Sequence, residues 1–392
     1  MSSAELRGRF RPWEDGRVRA AAAQGLVVLA LGTLAWLMVA NVLDNLARLG
    51  LNAGFQFLWR PAGFGITQTL IPYSEASSYG RAFLVALANT LALSAVAIAI
   101  ATVLGFVVGL ARLSGNPVIA GLALVYVDAL RNIPLLLQIF FWYFAVLRPL
   151  PSPRQSIVFG GVAFLSNRGL VLPAPLLGPG VELVVLAAGA GVAAAIGLAV
   201  WARRRQRATG RRPAVLAAGT AALLGLPLLA AAGTGFSIHW DVPRLVGFNF
   251  QGGIAVIPEA VAMLVALSVY AAAFIAEIVR AGVLAVPHGQ VEAARALGLT
   301  QGPIYRLVVV PQALRVIVPP LTSQYLNLVK NSSLAAAIAY PDLMLVFAGT
   351  VLNQTGQAIE VMTLTMGTYL AISLLIALLM NWYNRRVALA ER

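Results

Sequence analysis

The stretch from Phe83 to Leu110, FLVALANTLALSAVAIAIATVLGFVVGL, carries no charged residue in twenty-eight positions. A bilayer core about 30 Å thick is crossed by roughly 20 apolar residues in helical form, so this stretch reads as a membrane span. Working outward, the same signature recurs at Ala20 to Val42, Val181 to Trp201, Ala214 to Ala232, Ile254 to Val279 and Val361 to Trp382. Two further segments are long enough but interrupted. Val118 to Leu147 holds Asp128 and Arg131 one turn apart with Pro134 following, which predicts one kinked helix or two joined pieces. Val316 to Ile338 holds Pro319, Pro320, Gln324, Asn327, Lys330 and Asn331.

Composition agrees. Of 392 residues, 60% are hydrophobic and only 11% charged, against about 25% charged in soluble globular chains. The expectation is an all-α integral membrane protein with about eight transmembrane helices. A transmembrane barrel would show alternating segments of about 10 residues instead. There is no cysteine, which removes disulfides and thiolate metal sites, and His239 and His288 stand alone, so no zinc site is expected. The 28 basic residues outnumber the 14 acidic ones, but they flank apolar spans rather than forming a separate basic domain, which argues against nucleic acid and for membrane lipid as partner.

Arginine placement tests the eight-span reading. With the N-terminus inside, the inner segments hold nineteen arginines, including Arg203, Arg204, Arg205, Arg207, Arg211 and Arg212, and the outer segments hold seven. Dropping either interrupted span strands the Arg203 cluster or the Arg385 and Arg386 pair on the wrong side. Both termini are therefore expected in the cytoplasm, with the first apolar run retained as a helix, since Glu5, Glu14 and Asp15 make its leader too acidic for a signal peptide. The chain divides into an N-terminal part with the first helix and an outer loop (1–82), a first core part (83–147), an inserted outer loop and helical hairpin (148–253), and a second core part (254–392).

Between the sixth and seventh spans, the inner loop at 284–315 is neither apolar enough to cross nor disordered in composition. It reads Glu292-Ala293-Ala294-Arg295-Ala296-Leu297-Gly298, then nine residues, then Val308-Val309-Val310-Pro311. Pro287 and Gly289 start a short helix, Gly298 ends it in a left-handed cap, and Pro303 opens a second. Two short helices around a glycine turn make a knob with an acidic tip and small alanines, suited to a groove on a partner protein.

This segment resembles the EAA loop of permease subunits of ABC importers: Glu292, Ala293, Ala294, Gly298 and Pro311 are in full register, with Val308 and Val310 in place of the usual aliphatic pair. The flanks at Ala276 to Gly282, Val286 to Gln290 and Pro311 to Arg315 are similar to the polar amino acid uptake subfamily. So is Arg131 to Gln138, which departs at Asn132 and Ile133. Length and insertion resemble the permeases that import a broad range of L-amino acids. The resemblance implies a five-helix type I core paired with a second permease subunit, as a heterodimer, two ATPase subunits and an external substrate-binding protein in a bacterial inner membrane. ATP and magnesium would sit in the partner ATPase. This chain has no G-x-x-x-x-G-K-[ST] and no cofactor of its own is expected.

Ionisable and polar groups inside a span are functional candidates. Asp128 and Arg131, at i and i+3, suit a mutual ion pair or a substrate contact. Gln138 suits a lining of the path or a hydrogen bond to a neighbouring helix. Gln324, Asn327, Lys330, Asn331 and Ser332 read as a broken helix around a protein-lined cavity, with Lys330 as a point charge for a carboxylate, or else snorkelling or paired across subunits. Glu277 reads as a helix-end anchor pairing Arg280, and Asn89 and Thr90 as interhelical glue. An ATP-independent secondary carrier of small polar solutes fits the buried polar groups equally well, but not the knob.

Overall fold

The computed structural model describes residues 16–48, 54–210 and 213–387. Arg7, Arg9, Arg11, Arg211, Arg212 and Arg392 lie outside these residues. Helix α1 is Gly16–Arg48, α2 Tyr79–Ala111, α3 Pro117–Asn132 and α4 Leu135–Phe140, the last continuing as a π-helical stretch Phe141–Leu147. Helices α5 (Val181–Thr209) and α6 (Leu216–Thr234) form the inserted hairpin. Then come α7 (Pro258–Leu284), α8 (His288–Ala296), α9 (Gln301–Ile304), α10 (Val310–Asn331), α11 (Leu352–Thr355) and α12 (Ala358–Val387). Among the described residues six helices are long and apolar enough to cross a membrane, or seven if α3 and α4 count as one span. With the shorter apolar part of α1, Ala22–Met38, each of the eight expected segments has a helical counterpart.

Local chemistry sets the ends. Ser78 caps α2 by accepting from the Arg81 amide at 3.3 Å, and Asn116 caps α3 by accepting from Val118 at 2.9 Å, with Pro117 in the first turn. Pro134 forces the residue before it out of helical geometry, and the chain turns by 106° between α3 and α4. The bend leaves carbonyls free, and the Gln138 amide answers two of them, donating to Leu130 O and Ile133 O at 2.9 Å each.

Two expectations change. The sixth span begins at Pro258, not Ile254, because Ile254–Val256 is a strand. The seventh is not broken where its polar residues lie. A continuous helical run extends from Gln301 to Ile338, through Pro319 and Pro320 and ending in a 3₁₀ stretch Ser332–Ile338, and the chain first leaves helix at Ala339. A π turn Tyr305–Val309 directly precedes Pro311, where one wider turn accommodates a residue with no amide hydrogen.

Among the described residues the insertion also carries seven strands of three or four residues, and an eighth, β8, follows it directly. Strands β1 (Ile157–Phe159), β2 (Ala163–Ser166), β3 (Gly169–Leu172) and β8 (Ile254–Val256) form one antiparallel sheet in that order. Strands β4 (Ala174–Leu177) and β5 (Ile238–Asp241) form a ribbon at the head of the α5–α6 hairpin, and β6 (Arg244–Val246) pairs with β7 (Asn249–Gln251).

The core is built on α7. Leu93, Ala97 and Ala101 of α2, Leu135 and Ile139 of α4, and Ile317 and Leu321 of α10 are buried with Met263, Leu267 and Ile275. A second cluster joins the segment before α2, and the first residue of α2, to the last helices, with Phe57, Ala62 and Tyr79 against Phe347, Val351 and Val361.

Candidate functional site

The loop at 284–315 is a knob, as its spacing implies. Helix α8 ends at Ala296 and is closed by Gly298, which holds φ +76°; Gly298 N–H donates to Arg295 O at 2.9 Å and Leu299 N–H to Ala294 O at 3.2 Å, the two bonds of a Schellman cap. A Cβ on Gly298 would meet nothing within 4 Å, so backbone conformation rather than crowding selects glycine. Ala294 is buried inward, while Glu292, Ala293, Ala296, Leu297 and Gly298 are exposed, Leu297 at 82%. The second half of the knob is not a separate short helix. It opens at Gln301, two residues before Pro303, and is the head of the spanning run that contains α10. At the base of the knob, a cleft of about 490 Å³ is walled by Leu110, Leu113, Leu284, Glu292, Arg295 and Tyr305 among others.

The ends of α2 and α7 nearest the knob are clamped. The Glu277 carboxylate accepts from Arg280 Nη2 at 2.5 Å on its own helix and from Arg112 Nη1 at the end of α2. The expected i, i+3 pair is present and reaches across to a second helix.

Halfway along α7 a cavity of about 230 Å³ opens toward α10, between Leu267, Tyr270, Ala271 and Phe274 on one side and Gln324, Asn327, Leu328 and Asn331 on the other. Leu267 lies nine residues from the start of α7, about 14 Å into the helix. Three of the expected residues meet here. Lys330 does not line the cavity and is exposed in the last turn of α10, where the helix dipole favours a cation. Ser332 is buried and donates to Val329 O at 2.7 Å. Asp128 and Arg131 are both exposed and form no ion pair; the Arg131 guanidinium instead lies 5.2 Å from the ring centroid of Phe274, which itself lines the cavity. Sequence reading did not single out Tyr270 and Phe274, whose spacing in an apolar helix looks like packing.

Beyond the cavity the non-helical segment from Ala339 to Asp342 is pinned to α2. Asn89 Nδ2 donates to Pro341 O at 2.9 Å and to Gln68 O at 2.8 Å, and Thr90 Oγ1 accepts from Leu343 N at 2.9 Å. The buried Asp342 accepts from Leu345 N at 2.8 Å, capping the helical turns that follow, and from Tyr369 OH at 3.3 Å. Asp342 and Tyr369 went unnoticed in the sequence because their partners are distant in the chain.

Residues 101–389 match the family described as binding-protein-dependent transport system inner membrane component, nearly three quarters of the chain. The chain belongs to this family. Among known members, YhdX of Escherichia coli (strain K12) is 56% identical over 366 residues, 93% of each chain. AapQ of Rhizobium johnstonii, a general L-amino acid transport system permease protein, is 48% identical over 96% of this chain and 94% of its own length. BztB of Rhodobacter capsulatus, a glutamate/glutamine/aspartate/asparagine transport system permease protein, is 42% identical over 96% of both. Within the knob, Ala294, Ile304 and Val309 pack into the core, while Glu292, Ala293 and Leu297 are exposed.

Proposed function

We propose that this chain is the membrane permease subunit of an ABC importer for polar L-amino acids, including glutamate, aspartate, glutamine and asparagine. In this reading it pairs with a second permease subunit in the bacterial inner membrane, with both termini cytoplasmic, and works with two ATPase subunits and an external substrate-binding protein. ATP and magnesium are held by the partner ATPase, and no chemistry is done here.

The observation that carries the reading is where the knob is attached. Helix α8 follows directly from α7, one wall of the cavity, and α9 runs without a break into α10, the other wall. From Gln301 to Asn331 the run covers thirty-one residues, about 45 Å. A push on the knob by a closing ATPase dimer therefore alters the angle between the two helices that hold Gln324, Asn327 and Asn331. Three side-chain amides, each both donor and acceptor, suit a zwitterion: they donate to a carboxylate and accept from an ammonium without adding net charge. That set tolerates acidic and neutral substrates alike. Arg131 behind Phe274 adds positive potential beside the cavity. Lys330, with Asp128, Gln138 and Ser332, lies outside the cavity lining, and Lys330→Ala is expected to leave amino acid uptake unchanged.

The test is Gly298→Asp and Glu292→Lys, each inserted and purified, then assayed for ATPase co-purification and ATP-driven uptake. Loss of uptake in both, with the protein still folded, is the expected result. Unchanged uptake in both removes the knob from the mechanism, and uptake by the chain alone in vesicles lacking any ATPase identifies a secondary carrier instead.

A further inference from the structure

Helices α5 and α6 touch closely only along part of their length. A Cβ on Gly191 would lie 2.5 Å from Ala222 O, so the backbones are in contact there, whereas Gly219 meets only the Ala195 Cβ at 4.0 Å. Toward the arginine end the helices leave a crevice of about 580 Å³, within the roughly 300–1,000 Å³ of ligand pockets. Its walls are aliphatic: Ala195, Ala199, Ala202, Val215, Leu216 and Leu223 contribute most of them. Thr220 also lines it, but its hydroxyl is already bonded to Leu216 O and Ala217 O. Among the described residues the only charged group at the wall is Arg203.

The sequence around Arg203 is strongly basic. Arg204 and Arg205 follow Arg203, Arg207, Arg211 and Arg212 complete the cluster in sequence, and no acidic residue occurs between Glu182 and Asp241. Among the described residues no ion pair engages Arg203 or Arg204, and Arg205 stacks 5.2 Å from the Trp201 ring centroid. Counting about 20 residues for the bilayer core from Val181 puts Trp201 at the interface and the arginines among the headgroups. The hairpin presents this crevice to lipid, since only 6% of the most apolar part of α5 and none of α6 is buried inside the chain.

We infer that the arginine end of the α5–α6 hairpin is a binding site for an anionic phospholipid, with an acyl chain in the aliphatic crevice and the phosphate on Arg203 and its neighbours. Walls that are aliphatic apart from Arg203 disfavour a polar solute, and Arg203 and Arg204, with no ion pair among the described residues, select a negative headgroup. The inference does not depend on which substrate the permease carries.

Native mass spectrometry of the full-length protein, purified with the subunits it carries and exchanged into nanodiscs of phosphatidylcholine and phosphatidylglycerol, reads out the site. Wild type is expected to retain phosphatidylglycerol selectively. Arg203→Gln with Arg204→Gln should weaken retention about thirtyfold, from about 1 kcal/mol per arginine near an anionic surface, while Arg203→Lys with Arg204→Lys retains it. Gly219→Leu fills the crevice with the charge intact and should also release the lipid. Phosphatidylglycerol held at the wild-type level by both the glutamine pair and Gly219→Leu, or phosphatidylcholine held equally well by wild type, overturns the proposal.

Discussion

Helices α6 and α7 are both long and apolar enough to cross a bilayer, yet 56% of the most apolar stretch of α7 is buried inside the molecule and none of α6. Apolarity therefore explains insertion but not packing. Lipid chains are as apolar as leucine, so helices in a bilayer associate through close approach and polar bonds. Helix α7 has both. Gly105 and Gly109 of α2 lie where a Cβ would be 2.5 Å from Ile275 Cγ2 and 2.6 Å from Ala276 O. Tyr126 OH donates to Val269 O at 2.9 Å, and Tyr143 OH to Glu259 Oε1 at 2.7 Å. Helix α6 has two such approaches, to Gly191 and, through Thr234, to Gly180, and both join the hairpin only to itself.

The sharpest way to break this contrast is a matched pair of substitutions. Gly109→Val drives its side chain into Ala276 O and Val279, and overpacking of this kind costs about 3 kcal/mol. Gly191→Val makes an equally close clash with Ala222 O, but in the hairpin. Thermal unfolding of the purified permease should fall sharply for Gly109→Val, while Gly191→Val leaves the main transition in place. Equal losses would mean that the hairpin belongs to the cooperative core.

A smaller effect is expected at the inner clamp. Glu277→Gln leaves Arg112 and Arg280 without their shared carboxylate in a half-buried setting, a loss of about 1–2 kcal/mol, between that of a surface and a buried pair. A double-mutant cycle with Arg112→Gln should show coupling, because the two side chains contact directly. Additive effects would assign the anchoring to Arg280 alone.

How much of this was readable from the chain follows from the range of the forces. The spans were legible because the bilayer demands long apolar runs, and the knob because a Schellman cap is written in adjacent residues from Ala294 to Leu299. The strands were not, since three or four residues cannot display a two-residue period. The continuity of the helix through Pro319 and Pro320 was also hidden, because neighbouring helices rather than local propensity sustain it. Within the cavity, Gln324, Asn327 and Asn331 fall on one helical face. Lys330 points about 100° away from Asn331 at 3.6 residues per turn, so rotation around the helix, not proximity in sequence, separates it from the lining. The network of Asn89, Thr90, Asp342 and Tyr369 joins residues up to about 280 positions apart and left only the hint of polar residues inside an apolar run.

The smallest effect is expected from removing the hairpin altogether. Ala174 and Asp241 are paired across the β4–β5 ribbon, so excising residues 175–240 leaves two ends about 5 Å apart. An Asn-Gly link of two residues closes such an antiparallel pair as a tight turn. The core contacts of α2, α4, α7 and α10 lie outside the excised segment. The shortened permease should therefore keep ATP-driven uptake, with a thermal midpoint shifted by less than about 4 °C, the equivalent of ~1 kcal/mol. Its retained phosphatidylglycerol should fall to the level of the glutamine pair. Loss of uptake with the core still folded would instead give the hairpin a part in transport, and α6, none of whose apolar stretch is buried, would then need a partner outside this chain.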